Sequence, residues 1–279
     1  MSRRSWLFVP GADEAAHKAA ARSGADVIVL ELEDFTPPDL RAKARALSGR
    51  AFDLWRRAGA VAAVRVNPLE TCGREDLAAL ARADIVMMSK VALPEQVHAL
   101  AKLVPDGELV PNVETAAGLI RIHQIARSNP RVTALLVASE DMVADLGTER
   151  SRGGEELAYV RARFLLECRA AGVEAIDCPY TFSDAKGAAA DARYAKRLGY
   201  RMKSLVDPAH AAAINRVFTP DIARAKRIVA AFEKARAQGK DRAKVDGALV
   251  ELPGYAAAKR VLESAARTAP PPQKRLRSG

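Results

Sequence analysis

Eight apolar segments of strand length recur along this 279-residue chain, and helix-like stretches separate them. Strict alternation of strands and helices predicts parallel strand pairs joined by right-handed crossovers. Eight such units in roughly 215 residues match the strand count and the length of a closed (β/α)8 barrel. The predicted strands are residues 5–10, 26–34, 62–67, 84–90, 108–114, 134–141, 174–180 and 201–208.

A doubly wound open sheet is the alternative fold for the same alternation. Such sheets usually carry a glycine-rich turn that binds phosphate, and neither GxGxxG nor GxxxxGK[ST] occurs in this sequence. The sequence therefore favours an α/β protein with a (β/α)8 TIM barrel, although the pattern alone leaves the open sheet possible.

The alternating pattern ends near residue 220. Residues 221–238 predict a long amphipathic helix for which Asp221 is a candidate N-cap, followed by a loop or short hairpin and another helix. We therefore predict a barrel over residues 1–220 and a helical extension or lid over 221–267. Residues 268–279 are predicted to be a disordered basic tail because they combine three consecutive prolines with basic residues.

Composition excludes several classes of protein. A hydrophobic content of 49% with 28% charged residues is typical of a globular protein with a sizeable core. No apolar run approaches the ~20 residues that cross a bilayer, and the N-terminus reads as a first strand without a signal-peptide core, so we expect a cytoplasmic protein with no membrane partner. Three cysteines without CxxC spacing and four scattered histidines predict neither a disulfide framework nor a zinc cluster.

The net charge of +10 requires an explanation. It fits nucleic-acid binding, attraction of an anionic small substrate, or simply a solvated basic surface. Only 5% of the residues are aromatic, so platforms for base stacking are scarce and a nucleic acid is not the expected partner.

Polar residues follow the predicted strands where a barrel carries its active site, at the C-terminal strand ends. Grouped carboxylates repel one another unless a cation or a proton intervenes, and hard oxygen ligands without histidine or cysteine suit Mg2+ or Mn2+. Glu114 and Asp141 are the candidate metal ligands, and Arg65 is a fork for a substrate carboxylate. The strand-end residues are Glu31, Glu33, Asp34, Arg65, Asn67, Lys90, Glu114, Glu140, Asp141, Asp177, Lys203 and Asp207.

Simpler roles are open for single members of this set. An acid at a strand end is often only a helix cap, and Asp34 is a candidate for that role. Strand alternation predicts that Glu31 and Glu33 cannot both face the lumen and that Glu140 points away from Asp141. Lys90 is either a Schiff-base lysine or the partner of a neighbouring carboxylate.

Ordered motifs along residues 4–265 resemble a known family, the citrate lyase beta subunit-like proteins of the HpcH/HpaI aldolase superfamily. The motifs are "RSWLFVPGAD" (4–13), "VIVLELEDFTPPDLRAKAR" (27–45), "VRVNP" (64–68), "MMSKV" (87–91), "PNVETAAGL" (111–119), "SEDMVADLG" (139–147), "AIDCPYTFSD" (175–184), "VFTPD" (217–221) and "VDGALVELPGYAAAKRVL" (245–262).

The resemblance implies a homo-oligomer, a trimer or hexamer, that catalyses Mg2+-dependent carbon–carbon cleavage or condensation. The implied substrates are small carboxylates, often as acyl-CoA thioesters of the citramalyl, malyl or citryl type. By motif, Glu114 and Asp141 match the family's metal ligands, and Arg65 matches its substrate-carboxylate arginine. Glu251 occupies the place of the acidic residue that the family presents to a neighbouring subunit's active site.

We predict further roles around these residues. Asn67 and Lys90 are expected to contact the substrate, and Glu33 and Asp34 to support the groups that do. Three segments depart from the family pattern: Glu251 replaces the common Asp, "VASED" replaces a glycine-rich lead, and "MKSLVDP" brings Met202 and Asp207. These departures leave open a metal-dependent aldolase of free 2-keto-4-hydroxy acids, a malyl-CoA-type thioesterase, or a basic binding protein without catalysis.

Overall fold

A computed structural model describes residues 3–268 and divides them into two compact units, Arg3–Phe218 and residues 219–268. In the first unit eight parallel strands close into a barrel in which each strand pairs with the next and β8 pairs with β1. The predicted TIM barrel is confirmed, and the open sheet is wrong. The strands are β1 (Ser5–Pro10), β2 (Val27–Glu31), β3 (Val61–Val66), β4 (Ile85–Met88), β5 (Glu108–Val113), β6 (Ala134–Val137), β7 (Glu174–Asp177) and β8 (Met202–Leu205).

Helices surround the strands of this unit. They are α1 (Glu14–Arg22), α2 (Arg41–Arg57), α3 (Gly73–Ala79), α4 (Pro94–Leu103), α5 (Ala116–Leu119), α6 (Ile122–Arg127), α7 (Glu140–Asp145), α8 (Ala158–Ala171), α9 (Ala185–Leu198) and α10 (Ala211–Phe218). Several strands stop earlier than predicted: β2 ends at Glu31 and β6 at Val137, because the polar residues that follow belong to βα loops and to α7.

Side chains alternate between two cores along each strand. One buried cluster consists only of strand residues and fills the lumen; the other also includes helix residues and lies between the strands and the helices. Continuing the lumen alternation to the strand ends places Glu31, Arg65, Asn112 and Glu114 at the barrel mouth, because they follow Val29, Ala63 and Val110 by even steps. The lumen cluster is Trp6, Phe8, Val27, Val29, Ala63, Ile85, Met87, Val110, Ala134, Leu136, Ile176 and Met202.

Asp177 and Lys203 have the opposite alternation and lie outside the mouth. Lys203 Nζ is 2.6 Å from Asp177 Oδ2 and 2.5 Å from Asp191 Oδ2, and Arg161 is 2.7 Å from each of the same two carboxylates. Arg161 lies on α8 and Asp191 on α9, so two cations and two anions balance between the barrel and its helices. The prediction that Asp177 and Lys203 belong to the strand-end constellation was wrong.

The C-terminal unit has its own small core. Helix α11 (Ile222–Ala237) precedes an antiparallel hairpin of β9 (Ala243–Val245) and β10 (Ala248–Val250), and α12 (Leu252–Thr268) follows. The two-residue turn uses Asp246 and Gly247, with φ of 49° and 80°, a combination that favours Asp-Gly. Phe232 and Tyr255 stack with ring centroids 4.7 Å apart.

The predicted disordered tail lies outside the described residues apart from Thr268, which ends α12. Within the described part of the chain, each helix is too short or too polar to span a bilayer.

Candidate active site

Arg65 is the centre of the charged residues at the barrel mouth. It extends from β3 and is 6% exposed, with Nε 2.9 Å from Glu31 Oε1 and Nη2 3.3 Å from Glu33 Oε2 and 3.4 Å from Asp34 Oδ2. Its Nη1 faces Glu114 Oε1 at 3.7 Å. Burial acts to lower the pKa of Arg65, but Glu31, Glu114 and Glu33 raise it above its ordinary value, so the guanidinium is a fixed cation.

Glu31 and Glu33 both reach this guanidinium, so the prediction that only one of them faces inward was wrong. Alternation fails here because β2 ends at Glu31 and the chain turns. Glu31 Oε1 also accepts from Glu33 N at 2.7 Å, and its Oε2 accepts from Phe35 N at 2.6 Å. Glu31 thus fixes both the turn and the orientation of Arg65, a role that the sequence analysis missed.

Lys90 forms an ion pair with Glu33, with Nζ 2.5 Å from Oε1. The residue has a left-handed φ of 55°, which is strained for a lysine. The hydrogen bond to Glu33 raises the pKa of Lys90, and Asp34 and Asp141 add to the effect. A lysine held protonated in this way is a poor Schiff-base nucleophile, so the geometry favours the ion-pair alternative.

Asp34 does not cap the next helix. The N-cap of α2 is Leu40, without a side-chain hydrogen bond, while Asp34 is half-exposed and lies near Arg65 and Lys90. Asp34 is therefore placed among the charges of the mouth, as its predicted supporting role requires.

Glu114 has an unsatisfied oxygen. It is 1% exposed; its Oε1 accepts from Asn112 Nδ2 at 2.8 Å, whereas its Oε2 has no hydrogen-bond partner among the described residues. Burial raises the pKa of Glu114 to about 7, and Glu33 and Asp141 contribute against the opposing effect of Arg65. The N-cap of the following helix is Thr115, so Glu114 is not a helix cap. A buried oxygen of this kind is costly without a cation or proton.

Asp141 lies in the first turn of α7 and is half-buried. Its charge acts on both Glu114 and Lys90, which places the three groups in one electrostatic neighbourhood. Over residues 3–268 the structure records no hydrogen bond or ion pair for the Asp141 carboxylate. Glu140 instead contacts Arg150 and Thr181, at 3.2 Å and 3.0 Å.

These residues fit a hard divalent cation. Glu114 and Asp141 provide carboxylate oxygens, and the unpartnered Glu114 Oε2 is a donor atom for such an ion. No set of three or more His, Cys, Asp and Glu side chains able to hold a metal occurs in the described part of the chain. The fit is therefore to an ion with two protein ligands and positions left for water and substrate oxygens.

Asn67 is buried behind the mouth. Its Nδ2 donates to Leu32 O at 2.9 Å and to Asp76 Oδ2 at 2.8 Å, and its backbone N donates to the same carboxylate oxygen at 3.0 Å. Both amide hydrogens thus hold the loop after β3, and this geometry does not favour the predicted substrate contact. Asn112, which the sequence analysis missed, has a recognisable signal: it precedes Glu114 by two residues on the same strand face.

The remaining predicted residues lie elsewhere. Glu251 belongs to the C-terminal unit, where it is exposed and its carbonyl accepts from Tyr255 N at 3.0 Å; its catalytic role stays a prediction. Met202 is the first residue of β8, at the end of the strand remote from the mouth. Asp207 caps the short turn after β8 by accepting from Ala209 N at 2.8 Å.

Comparison with known proteins identifies the family. The HpcH/HpaI aldolase/citrate lyase family matches residues 4–208. A (3S)-malyl-CoA thioesterase of Cereibacter sphaeroides is 34% identical over 255 residues, which cover 89% of each chain. The citrate lyase subunit beta of Leuconostoc mesenteroides subsp. cremoris is 30% identical over 281 residues, with 94% of this chain and 93% of the relative covered.

A solved structure gives the same result. The crystal structure of CitE from Mycobacterium tuberculosis in complex with magnesium, acetoacetate and coenzyme A is 26% identical to this chain, with a TM-score of 0.75 and coverage of 95% of this chain and 98% of that one. The resemblance found in the sequence is thereby confirmed, and it is to a family of enzymes: the chain belongs to the HpcH/HpaI aldolase/citrate lyase family, among citrate lyase beta subunits and malyl-CoA thioesterases.

Proposed function

We propose that this protein is a Mg2+-dependent carbon–carbon lyase that acts on a small hydroxy-carboxylate as its acyl-CoA thioester, of the citramalyl, malyl or citryl type. The observation that carries the proposal is the buried Oε2 of Glu114, which has no hydrogen-bond partner among residues 3–268 and lies beside the charge of Asp141 and the guanidinium of Arg65. Mn2+ is the alternative ion because it accepts the same oxygen ligands.

Glu114 and Asp141 would hold the ion. When bound, Mg2+ supplies Lewis acidity that stabilises negative charge on a carbonyl or enolate oxygen. The charge balance supports this role, because five carboxylates face two cationic side chains at the mouth. The carboxylates are those of Glu31, Glu33, Asp34, Glu114 and Asp141, and the cations are Arg65 and Lys90.

Arg65 orients the substrate in this proposal. Its Nε and Nη2 are held by Glu31, Glu33 and Asp34. Among the described residues Nη1 has only the 3.7 Å approach of Glu114, so it is the side that remains for a substrate carboxylate. The acidic neighbours keep the guanidinium in one orientation before substrate arrives, which reduces the reorganisation needed during reaction. Lys90, paired with Glu33, is a second cation for the substrate.

The proposed reaction is an aldol-type cleavage. The substrate hydroxyl loses its proton to a base, the carbon–carbon bond next to the new carbonyl breaks, and the electron pair remains as the enolate of the departing acyl group. That enolate then takes a proton. We assign one of these two proton transfers to Glu251 of a neighbouring subunit. Because that residue would come from another copy of the chain, the proposal includes a homo-oligomer, either a trimer or a hexamer.

Hydrolysis of a malyl-type thioester is the second candidate function. Its support is the thioesterase of Cereibacter sphaeroides, 34% identical over 89% of this chain. The two functions differ in the bond that breaks: a thioesterase releases free CoA thiol and leaves the carbon skeleton whole.

Product analysis tests the proposal. Purified protein is assayed on malyl-, citramalyl- and citryl-CoA with Mg2+ and after removal of metal by EDTA. Lyase activity predicts an acyl-CoA and a keto acid in equal amounts, lost on chelation and restored by Mg2+. Thiol without carbon–carbon cleavage would favour the thioesterase, and turnover that persists unchanged without metal would refute the metal role.

A pair of variants on one strand sharpens the test. Glu114→Gln should lose metal-dependent activity. Glu108→Gln is the matched control, because Glu108 begins the same strand β5 at the other end of the barrel and pairs with Arg3.

A further inference from the structure

The two proposed metal ligands come from segments that are far apart in sequence. Glu114 directly follows β5, at the turn into α5, and Asp141 lies on α7, a helix of only six residues. A side-chain contact joins these segments directly: Asp145 Oδ2, at the last residue of α7, accepts from Ala116 N at 2.7 Å. Ala116 is the first residue of α5 and follows Glu114 by two positions.

The spacing on α7 gives this contact its significance. Asp141 and Asp145 are four residues apart, so they lie on the same side of the helix. Because Asp145 reaches the turn after Glu114, the side of α7 that carries Asp141 faces that turn too. The turn itself is fixed by Thr115, whose Oγ1 accepts from Gly118 N at 3.2 Å.

The geometry points to Asp145 as a positioning residue that sets the separation of Glu114 and Asp141. The inference rests on the proposed metal role of those two residues. Asp145 touches neither metal nor substrate in this role; it holds α7 against the β5–α5 turn. Removing its carboxylate leaves the Ala116 N–H without that acceptor and frees α7 to shift, which changes the separation of the two ligands. Direct hydrogen-bond partners of metal ligands typically change metal affinity about 10–100-fold when mutated; Asp145 acts through the backbone beside Glu114, so the lower end of that range is expected.

The experiment measures Mn2+ affinity, by electron paramagnetic resonance, for the full chain without substrate. Asp145→Ala should weaken binding about tenfold. Asp145→Asn keeps an oxygen acceptor for the Ala116 N–H, so it should remain within about threefold of the natural protein. This rescue by the conservative variant distinguishes loss of the hydrogen bond from loss of a charge.

A second variant removes the donor rather than the acceptor. Ala116→Pro lacks the N–H, and proline is tolerated at the first position of a helix; the preceding Thr115, with φ of −134° and ψ of 158°, already has the extended backbone that proline requires. Ala116→Pro should weaken Mn2+ binding as Asp145→Ala does, and the double variant should be no weaker than either. Additive losses would overturn the inference.

Asp26→Ala is the matched control. Asp26 Oδ2 also accepts a backbone N–H at 2.7 Å, from Arg4, and joins two segments at the opposite end of the barrel. This variant should lose stability and keep Mn2+ affinity. If Asp141→Asn abolishes Mn2+ binding while Asp145→Ala and Ala116→Pro bind like the natural protein, the positioning role of Asp145 is refuted and the metal site is not. If Asp141→Asn leaves binding unchanged, the metal site itself is wrong.

Discussion

Replacing Glu114 with glutamine should stabilise the metal-free protein at pH 8 and abolish its affinity for Mg2+. Glutamine is nearly isosteric with glutamate and keeps an oxygen that accepts from Asn112 Nδ2. It removes a charge that is buried among other carboxylates and leaves Arg65 its contacts with Glu31, Glu33 and Asp34. The two effects have opposite signs, because the natural carboxylate is costly without an ion and binds strongly when one is present.

The size of the effect follows from the pKa of Glu114. Its ordinary value is 4.5, and burial with the charges of Glu33 and Asp141 raises it to about 7 in the folded protein. Below pH 4.5 the group is protonated in both states and contributes no pH dependence. Between these two values the folded state holds the proton more tightly than the unfolded state, so the free energy of unfolding falls as the pH rises. Above the upper value the free energy of unfolding stays about 3 kcal/mol lower than at pH 4.5 on account of this group.

Glutamine has no such penalty. The variant should therefore match the natural protein near pH 4.5 and exceed its stability by about 2–3 kcal/mol at pH 8. For a protein of this size that is about 3–6 °C in the thermal midpoint.

The assay is thermal unfolding in EDTA from pH 5 to 8. Glu108→Gln provides a control of opposite sign, since the hydrogen bond from Arg3 lowers the pKa of Glu108 and its loss should destabilise the protein at neutral pH. Parallel pH profiles for Glu114→Gln and the natural protein would refute the reasoning, because they would mean that Glu114 is not a strained, buried carboxylate.

Three further outcomes are expected. Saturating Mg2+ should raise the thermal midpoint of the natural protein, by an amount that corresponds to about 2.7 kcal/mol at 100 times the Kd, and should leave that of Glu114→Gln unchanged; equal shifts in a calorimetric scan would contradict the assigned ligand. Arg65→Lys keeps the charge but loses the fork, so kcat/KM should fall about 100-fold or more while Mg2+ affinity changes little; a kinetic constant within threefold of the natural value would argue against substrate recognition by Arg65. Lys203→Met removes one of the two buried cations that contact Asp177 and Asp191 and leaves Arg161 to balance both carboxylates; chemical denaturation should show a loss of about 3–5 kcal/mol in the free energy of unfolding, and a loss below about 1 kcal/mol would show that the ion pairs of Lys203 are dispensable.

The barrel was predictable from the sequence because its strands are buried on both faces. Their apolar runs stand out from the intervening helices, and the eight-fold count limits the closed topologies. The predicted strand ends were less accurate. The structure ends β2 at Glu31 and β6 at Val137, whereas the predicted strands continued through the polar residues to positions 34 and 141. Charged residues at a barrel mouth belong to loops. The pattern of apolar residues in the sequence does not mark the residue at which the hydrogen bonds between strands end.

The candidate site was predictable for those functional side chains whose direction follows from the alternation along a strand. Glu114 and Arg65 follow lumen-facing residues by even steps, and their placement agrees with that spacing. Strand alternation was wrong for Glu31 and Glu33, because it no longer applies once the chain turns. Position at a strand end was misleading for Asp177 and Lys203, whose partners Arg161 and Asp191 lie on α8 and α9. Such pairings depend on tertiary packing, which a single sequence does not display.

An anomalous diffraction map from crystals soaked in Mn2+ would locate the metal ion itself. We expect one strong peak at the barrel mouth, about 2.2 Å from a carboxylate oxygen of Glu114 and from one of Asp141, with Arg65 alongside. A peak bound by other residues, or no peak near Glu114 at saturating Mn2+, would contradict the proposed metal site.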